Sequence, residues 1–112
     1  MKTTRYQKIF ITGALGFVGR ALAEQYRRLG AEACGLDVRA DSALNIVAGD
    51  VSKPEAWQSA MDGCDLVNHT AAIVTNNVAR EEAWRVNVLG ARRVLDAAIR
   101  ARAKRFIHIS SL

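Results

Sequence analysis

Residues 9–19 read Ile9-Phe10-Ile11-Thr12-Gly13-Ala14-Leu15-Gly16-Phe17-Val18-Gly19, an apolar run followed by glycines at three-residue spacing. This pattern predicts a buried strand, a tight loop and the N-terminus of a helix. We expect Gly13 to turn the backbone sharply, Gly16 to let a bound anion approach the backbone, and Gly19 to let the helix pack tightly on the sheet. The free N–H groups and the positive end of the helix dipole would then face that anion.

Asp37 follows this motif by about 20 residues, at the end of a second predicted strand, Glu32 to Leu36. A strand, a glycine loop, a helix and an acid in this order predict a dinucleotide-binding site in which the loop holds the diphosphate. The Asp37 carboxylate would hold the ribose hydroxyls of an adenosine and repel a 2′-phosphate, which favours NAD over NADP. The Arg39 guanidinium could instead bind a 2′-phosphate, so NADP remains an alternative cofactor. Asp37 could also be a surface residue in a turn.

The composition predicts one globular domain, because half of the 112 residues are apolar and none of the chain is low-complexity. No apolar run approaches a membrane span, and no signal-peptide core follows Met1. We therefore expect a cytoplasmic protein with no membrane partner. Cys34 and Cys64 lack metal-ligand spacing and are expected to be buried free thiols, so no metal site is predicted.

The net charge of +5 raises the hypothesis of nucleic-acid binding. Much of the positive charge lies in a predicted long helix and its exit, where acids accompany the arginines at helical spacing. Glu81 precedes Arg85 by four residues and Asp96 precedes Arg100 by four, a pairing typical of a solvated helix face. We therefore expect no nucleic-acid partner.

Strands and helices alternate along the rest of the chain. Strands are predicted at Lys8 to Thr12, Leu44 to Ala48, Leu66 to His69 and Lys104 to Ser110, and helices from Gly16 to Leu29, Ser52 to Met61 and Glu81 to Arg102. This alternation predicts an α/β fold with a doubly wound parallel sheet, Rossmann-like, of strand order 3-2-1-4-5 and truncated after the fifth strand. The ligand would lie at the carboxyl ends of the strands, near the reversal between strands 1 and 4.

The predicted helices carry packing signals. Ser52 and Glu55 form a capping-box pattern, and Trp57 and Met61 would lie on the inner face of that helix. Gly90 suggests a close packing contact, since glycine within a helix costs about 1 kcal/mol relative to alanine. The apolar spacing predicts two buried stripes, Val18, Leu22, Tyr26 and Leu29 in the first helix and Trp84, Val88, Ala91, Leu95 and Ala98 in the last.

Three further residues follow predicted strands and have open interpretations. Asp50 could accept a hydrogen bond from an adenine amino group, or it could bond within its own loop. His69 is better explained as a buried histidine with satisfied hydrogen bonds than as an acid or base, and His108 as a packing residue. The small residues after His69 would let a ligand pass close to the backbone.

Six short motifs occur together in the order and spacing of one family: Thr12-Gly13-x-x-Gly16-Phe17-Val18-Gly19, Asp37, Gly49-Asp50-Val51, His69-Thr70-Ala71-Ala72, Val86-Asn87-Val88-x-Gly90 and Phe106-Ile107-His108-Ile109-Ser110-Ser111. Over essentially all 112 residues the chain resembles the N-terminal half of an extended short-chain dehydrogenase/reductase of the NAD-dependent epimerase/dehydratase family. The sequences around His69 and His108 further resemble the 3β-hydroxysteroid dehydrogenase/isomerase branch of this family.

This resemblance implies a single, incomplete NAD(P)-binding domain over residues 1–112, and it assigns site residues by motif. It implies Gly13, Gly16, Phe17, Val18 and Gly19 at the diphosphate, Asp37 at the ribose, Asp50 and Val51 at the adenine, Ala71 and Ala72 along the nicotinamide, Asn87 as a positioning residue, and Ser111 as the catalytic hydroxyl. The resemblance also implies hydride transfer at a carbinol carbon, a small-molecule substrate such as a nucleotide sugar or a sterol-like alcohol, and a homodimer of the full-length protein. Composition alone would make Ser111 a strand-end hydroxyl without chemistry.

The chain departs from the family pattern in its acid–base residues. The family uses a Tyr-x-x-x-Lys pair, in which the lysine charge lowers the tyrosine pKa. Here the tyrosines are Tyr6 and Tyr26, and neither has a lysine four residues later. We therefore expect the 112 residues alone to be inactive. The alternatives are a stand-alone, non-catalytic dinucleotide-binding or sensor module and, third, a nucleic-acid-binding protein.

Overall fold

The computed structural model describes residues 5–53, 56–71 and 79–109, and within these ranges five parallel strands form one sheet. The strands are β1 (Lys8–Thr12), β2 (Glu32–Asp37), β3 (Ile46–Ala48), β4 (Leu66–His69) and β5 (Arg105–His108), in the order β3-β2-β1-β4-β5. The predicted α/β fold with a doubly wound, Rossmann-like sheet is confirmed. The strand order reverses between β1 and β4, where a crevice opens in such sheets.

Strand β1 is buried on both faces, as expected for the central strand of a parallel sheet. Ile9 and Ile11 pack with helix α1 (Phe17–Arg28) on one face, in a cluster that includes Ala23. Phe10 lies on the other face, in a cluster with Trp57. The apolar run in the sequence therefore supplies side chains to two separate cores.

Helix α1 begins and ends close to the predicted residues. Gly30 follows it with a φ of +91°, a left-handed conformation that glycine adopts readily and that ends a helix. The predicted buried stripe is only partly correct, because Gly19 and Ala23 are the buried residues of the helix and Val18 is 43% exposed. Small residues let α1 approach its neighbours closely, which moves the larger side chains toward the edges of the contact.

Strand β3 is shorter than the sequence predicts, because the predicted start at Leu44 falls in a 3₁₀ helix, Ser42–Leu44. Asn45 then adopts a left-handed conformation with a φ of 58°. Asp41 and Ile46 exchange two backbone hydrogen bonds, both 2.9 Å long, which close this turn before the strand begins.

The helix predicted from Ser52 to Met61 is instead a 3₁₀ helix over Ala56–Met61. The proposed capping partner Glu55 lies outside the described residues, and the Ser52 hydroxyl donates a hydrogen bond to Asp50. The predicted inner face is confirmed, since Trp57 is 2% exposed and Met61 is fully buried.

The long helix predicted from Glu81 to Arg102 has three consecutive parts: α2 (Arg80–Trp84), a π-helical turn (Arg85–Leu89) and α3 (Gly90–Arg100). In α3 the predicted buried stripe is correct at Ala98, but Gly90 and Val94 are buried in place of Ala91 and Leu95, and Ala97 is buried as well. Trp84 and Val88 are 54% and 48% exposed. A π-helical turn contains an extra residue, so spacing counted through it does not keep one face.

The close contact predicted at Gly90 is confirmed. A Cβ atom there would lie 2.7 Å from Cγ2 of Val51. Val51 lies in the loop after β3 and is buried, so this contact seats α3 directly against the part of the chain that follows the third strand.

Among the described residues, no helix combines the length and the apolar character needed to cross a membrane. The same part of the chain contains no cluster of three or more residues of the types that bind metal ions.

Candidate functional site

The glycine loop after β1 has the sharp turn that the sequence predicts. Gly13 has a φ of +67°, a conformation that L-residues with a side chain rarely adopt. A Cβ atom at Gly13 would also lie 2.6 Å from Oγ1 of Thr70 and 3.0 Å from the backbone nitrogen of Ala71. The turn and the approach of the segment after β4 therefore both require glycine at this position.

The other two glycines of the motif have different surroundings. A Cβ atom at Gly19 would collide with the carbonyl oxygen of Gly13, so the close contact at this position is with the glycine loop, whereas the sequence predicted it with the sheet. A Cβ atom at Gly16 would meet only that same carbonyl oxygen, at 3.3 Å. Gly16 is exposed and faces open space, which leaves room for a ligand at the backbone.

The N-terminus of α1 is suited to bind an anion. Its N-cap residue is Gly16 in an extended conformation, and no described side chain caps the helix. The first turn contains no acidic residue that would compete with an anion. Phe17 and Val18 are 91% and 43% exposed, so the backbone N–H groups at the start of the helix lie beside solvent. Unpaired N–H groups and the helix dipole together attract phosphate.

The Asp37 carboxylate lies beside this helix start, at the end of β2. Its Oδ2 accepts a hydrogen bond of 2.8 Å from the backbone nitrogen of Leu15, and its Oδ1 accepts one of 2.7 Å from that of Val38. The bond from Leu15 ties the glycine loop to the end of the neighbouring strand. A carboxylate has about four acceptor positions, so Asp37 retains acceptor capacity for hydroxyl groups.

A hydrogen-bonded group around Asp50 forms another wall. Asp50 Oδ1 accepts bonds from the backbone nitrogen (2.9 Å) and the hydroxyl (2.7 Å) of Ser52, and Oδ2 accepts one of 2.9 Å from Arg85 Nη1. Burial raises the pKa of Asp50, but the hydrogen bonds from Ser52 and Arg85 outweigh burial and hold that pKa below its ordinary value. Arg85 Nη1 also donates to the Ser52 hydroxyl. Of the two interpretations of Asp50, the structure contains the bond within its own loop.

The carboxyl ends of β1 and β4 are joined through the Thr12 hydroxyl. Thr12 Oγ1 accepts bonds from the backbone nitrogens of Thr70 (3.1 Å) and Ala71 (3.2 Å), and Thr70 Oγ1 donates to the Thr12 carbonyl at 2.6 Å. With both lone pairs occupied, the Thr12 hydroxyl proton is directed to His69 Nδ1, 2.7 Å away. His69 Nδ1 is therefore an acceptor, and its neutral ring carries the proton on Nε2.

His69 is buried as predicted, but its hydrogen bonds are not all satisfied. It is 1% exposed, and its Nε2 has no hydrogen-bond partner among the described residues. Burial, with a smaller effect of His108, lowers the pKa of His69 to about 4. The two imidazole rings lie 5.2 Å apart between centroids, and His108 is exposed at the end of β5 rather than packed in the core.

These parts enclose one cleft of about 620 Å³ at the carboxyl ends of β1, β2 and β4. Nine of the residues predicted from the sequence line it: Gly13, Gly16, Phe17, Val18, Gly19, Asp37, Asp50, Val51 and Ala71. Asn87 lies in the π-helical turn and does not line the cleft. Ala72 and Ser111 lie outside the described residues.

Sequence reasoning missed the part of the cleft wall that comes from α2 and the π-helical turn. Glu82, Arg85 and Val86 line the cleft, although the sequence placed Arg85 on a solvated face paired with Glu81. Asp96 forms its ion pair with Arg92, at 3.3 Å, whereas the sequence predicted Arg100 as its partner. Asp50 could have indicated a cation in this wall, because a carboxylate that loses water beside a ligand cleft is stabilised by an opposite charge.

Comparison with known proteins agrees with this geometry. Residues 9–112 match the profile of the NAD dependent epimerase/dehydratase family. The 3 beta-hydroxysteroid dehydrogenase/Delta 5-->4-isomerase of Mycobacterium tuberculosis is 31% identical over 121 residues, which cover 97% of this chain and 33% of that protein.

Solved structures show the same fold. A short-chain dehydrogenase/reductase superfamily protein from Agrobacterium tumefaciens, crystallised with bound NAD, superposes with a TM-score of 0.84 at 36% identity, covering 94% of this chain and 33% of that one. MoeE5, solved with UDP-glucuronic acid and NAD, superposes with a TM-score of 0.81 at 25% identity, covering 93% and 36%. The chain thus spans about a third of the length of the relatives it matches. By its sequence match, its sheet order and its glycine loop, it belongs to the NAD dependent epimerase/dehydratase family.

Proposed function

We propose that this chain is the cofactor-binding portion of an NAD-dependent oxidoreductase or epimerase/dehydratase. One observation carries the proposal: the uncapped start of α1, the open space at Gly16 and the Asp37 carboxylate all face the same cleft. A diphosphate needs N–H donors and room at the backbone, and a ribose needs an acceptor beside them. The residues present therefore fit a dinucleotide.

Each part of the cleft has a role in this proposal. The loop from Gly13 to Gly19, with the N–H groups of Phe17 and Val18, holds the diphosphate, and Asp37 accepts from the ribose hydroxyls. The adenine lies near Asp50 and Val51, where Arg85 fixes the Asp50 carboxylate. The nicotinamide lies along Ala71 and Ala72, with Asn87 as a positioning residue. When bound, NAD supplies a hydride acceptor at its nicotinamide ring.

The cofactor in this proposal is NAD rather than NADP. A 2′-phosphate at the ribose would be placed against the Asp37 carboxylate in a cleft whose lining is largely apolar. Like charges at short distance in a partly desolvated site repel each other strongly. Exposed Arg39 is the residue that would support NADP instead.

The substrate class in this proposal is a small secondary alcohol, either sterol-like or a nucleotide sugar. The names of two relatives support these classes, a hydroxysteroid dehydrogenase/isomerase and MoeE5 with bound UDP-glucuronic acid. Ser111 would donate a hydrogen bond to the reacting substrate oxygen. A positioned acid–base group is typically worth 10²–10⁴-fold in rate, and this sequence lacks the Tyr-x-x-x-Lys pair. The 112 residues alone are expected to bind cofactor without turnover.

The proposal also includes a homodimer of the full-length protein. Four large apolar side chains are exposed on α2, the π-helical turn and α3: Trp84, Val88, Leu95 and Ile99. Exposed apolar side chains that cluster on a surface are typical of sites that another protein covers. Cytoplasmic location remains an expectation from the sequence.

The alternative is a non-catalytic dinucleotide-binding or sensor module with the same cleft. Several relatives that cover nearly the whole chain are named as enzymes, which favours the enzymatic proposal. Nucleic-acid binding has less support, because Arg85 and Arg92 are engaged with acids of the same chain.

Calorimetric titration of NAD into the purified chain tests the proposal. We expect one NAD per chain, and Gly16→Val should abolish binding because its isopropyl group fills the open space beside the loop. Ala21→Val is the control, since it places the same valine side chain on α1 at an exposed position that does not line the cleft. Circular dichroism verifies that both variants fold. Equal NAD affinity in a folded Gly16→Val chain would contradict the site.

A further inference from the structure

Two thiols that the proposed function does not use face each other across β1. Cys34 lies in β2, in register with Phe10 of β1, and Cys64 lies just before β4 on the other side of that strand. Their Sγ atoms are 3.7 Å apart although 30 residues separate them in sequence. Both are free thiols, and neither lines the cleft.

We propose that Cys34 and Cys64 form a peroxide-sensitive dithiol site that closes to an intramolecular disulfide. The two sulfurs are already in van der Waals contact. A disulfide bond is about 2.05 Å long, so the two sulfur atoms must move about 1.7 Å closer together. Because β1 lies between the two cysteines, closing this distance requires the backbone around Cys64, which lies outside β4, to shift as well as the two side chains to rotate.

The two thiols have different surroundings and therefore different roles. Cys34 is half-buried and reachable from solvent, whereas Cys64 is 2% exposed. A hydrogen bond from the Cys64 thiol lowers the pKa of Cys34 against the opposing effect of burial, and the charge of Lys8 lowers it further. The hydrogen bond to Cys34, together with burial, raises the pKa of Cys64. Cys34 is therefore the attacking thiolate and Cys64 the resolving thiol.

The reaction has two steps. The Cys34 thiolate attacks one oxygen of hydrogen peroxide, the O–O bond breaks, and hydroxide leaves, which takes up a proton to become water. Cys64 then attacks the sulfur of the Cys34 sulfenic acid, the S–O bond breaks, and a second water leaves with the Cys64 proton. In total, two thiols lose two electrons and two protons, and peroxide is reduced to two waters.

The disulfide would join both ends of the segment that forms the adenosine side of the cleft. That segment contains Asp37, Asp50 and Val51. Closing a loop of this length restricts the unfolded chain, and we expect the midpoint of thermal unfolding to rise by about 10 °C. Because neither sulfur lines the cleft, cofactor affinity should stay the same in the oxidised and reduced chain.

The test treats the folded chain with hydrogen peroxide and maps its peptides by mass spectrometry without reduction. We expect one peptide pair linked through Cys34 and Cys64 in monomeric protein, with the higher unfolding midpoint reversed by dithiothreitol. Cys64→Ala should accumulate a sulfenic acid at Cys34 that dimedone traps. Cys34→Ser should leave the Cys64 thiol intact and the midpoint unchanged by peroxide.

Three results would overturn the proposal. These are disulfides that join two chains, Cys34 oxidised to sulfinic acid beside a free Cys64 thiol, and both thiols unreacted in chain that circular dichroism shows to be folded.

Discussion

The Thr12 hydroxyl joins the two strands at which the sheet order reverses, so its removal should destabilise the chain. Thr12 is fully buried and its Oγ1 makes hydrogen bonds to His69, Thr70 and Ala71. Thr12→Val keeps the shape of the side chain and removes all three bonds. Each is worth about 1 kcal/mol, and the buried Nδ1 of His69 loses its donor. We expect the free energy of unfolding to fall by about 3 kcal/mol, a large part of the 5–15 kcal/mol that is typical of a domain.

Urea unfolding at neutral pH, followed by circular dichroism, measures this loss. Thr12→Ser is the matched control because it keeps the hydroxyl and removes only a methyl group, at a cost of about 1 kcal/mol. The serine variant should therefore be more stable than the valine variant. A Thr12→Val chain within about 0.5 kcal/mol of the unmutated chain would refute the reasoning, since that is the range of a neutral surface substitution.

Three more predictions follow from other contacts. The pKa of His69 is about 4 in the folded chain and about 6.5 in the unfolded chain, so only the unfolded chain binds a proton there between these pH values. The free energy of unfolding should therefore be unaffected by His69 above about pH 6.5 and should be lower by about 3 kcal/mol at pH 4. Denaturation at several pH values should show that loss, and His69→Gln should remove its contribution. Asp37→Asn should raise NADP affinity relative to NAD in calorimetry, whereas Asp41→Asn, outside the cleft, should not; an unchanged ratio in Asp37→Asn would disprove the charge argument. Gly90→Ala should lower stability by about 1–3 kcal/mol through crowding of Val51, and adding Val51→Ala should recover most of it; a Gly90→Ala chain more stable than the original would show that helix propensity outweighs the contact.

Features set by neighbouring residues could be predicted from the sequence. The strand, glycine loop and start of α1 follow one another in the chain, and the two-sided burial of β1 was visible as an unbroken apolar run. The alternation of strands and helices, with right-handed crossovers, left few topologies, so the order of the sheet was predictable as well. Asp37 could be found because its distance from the glycines is part of the motif.

Features set by contacts between distant segments could not be predicted. The partner of Arg85 is Asp50, 35 residues away, and helical spacing pointed to Glu81 instead. The bonds of Thr12 to Thr70 and Ala71 span nearly 60 residues and leave no local pattern. The π-helical turn before Gly90 shifted the buried face of α3, because a period of 3.6 residues assumes one continuous α-helix.

A crystal structure of the chain with NAD would test the central claim most directly. The account predicts the diphosphate within hydrogen-bond distance of the Phe17 and Val18 backbone nitrogens, beside Gly16, with the adenosine ribose hydroxyls at the Asp37 carboxylate. NAD bound elsewhere on the chain, or a diphosphate held away from the start of α1, would contradict the assignment of this cleft as the cofactor site.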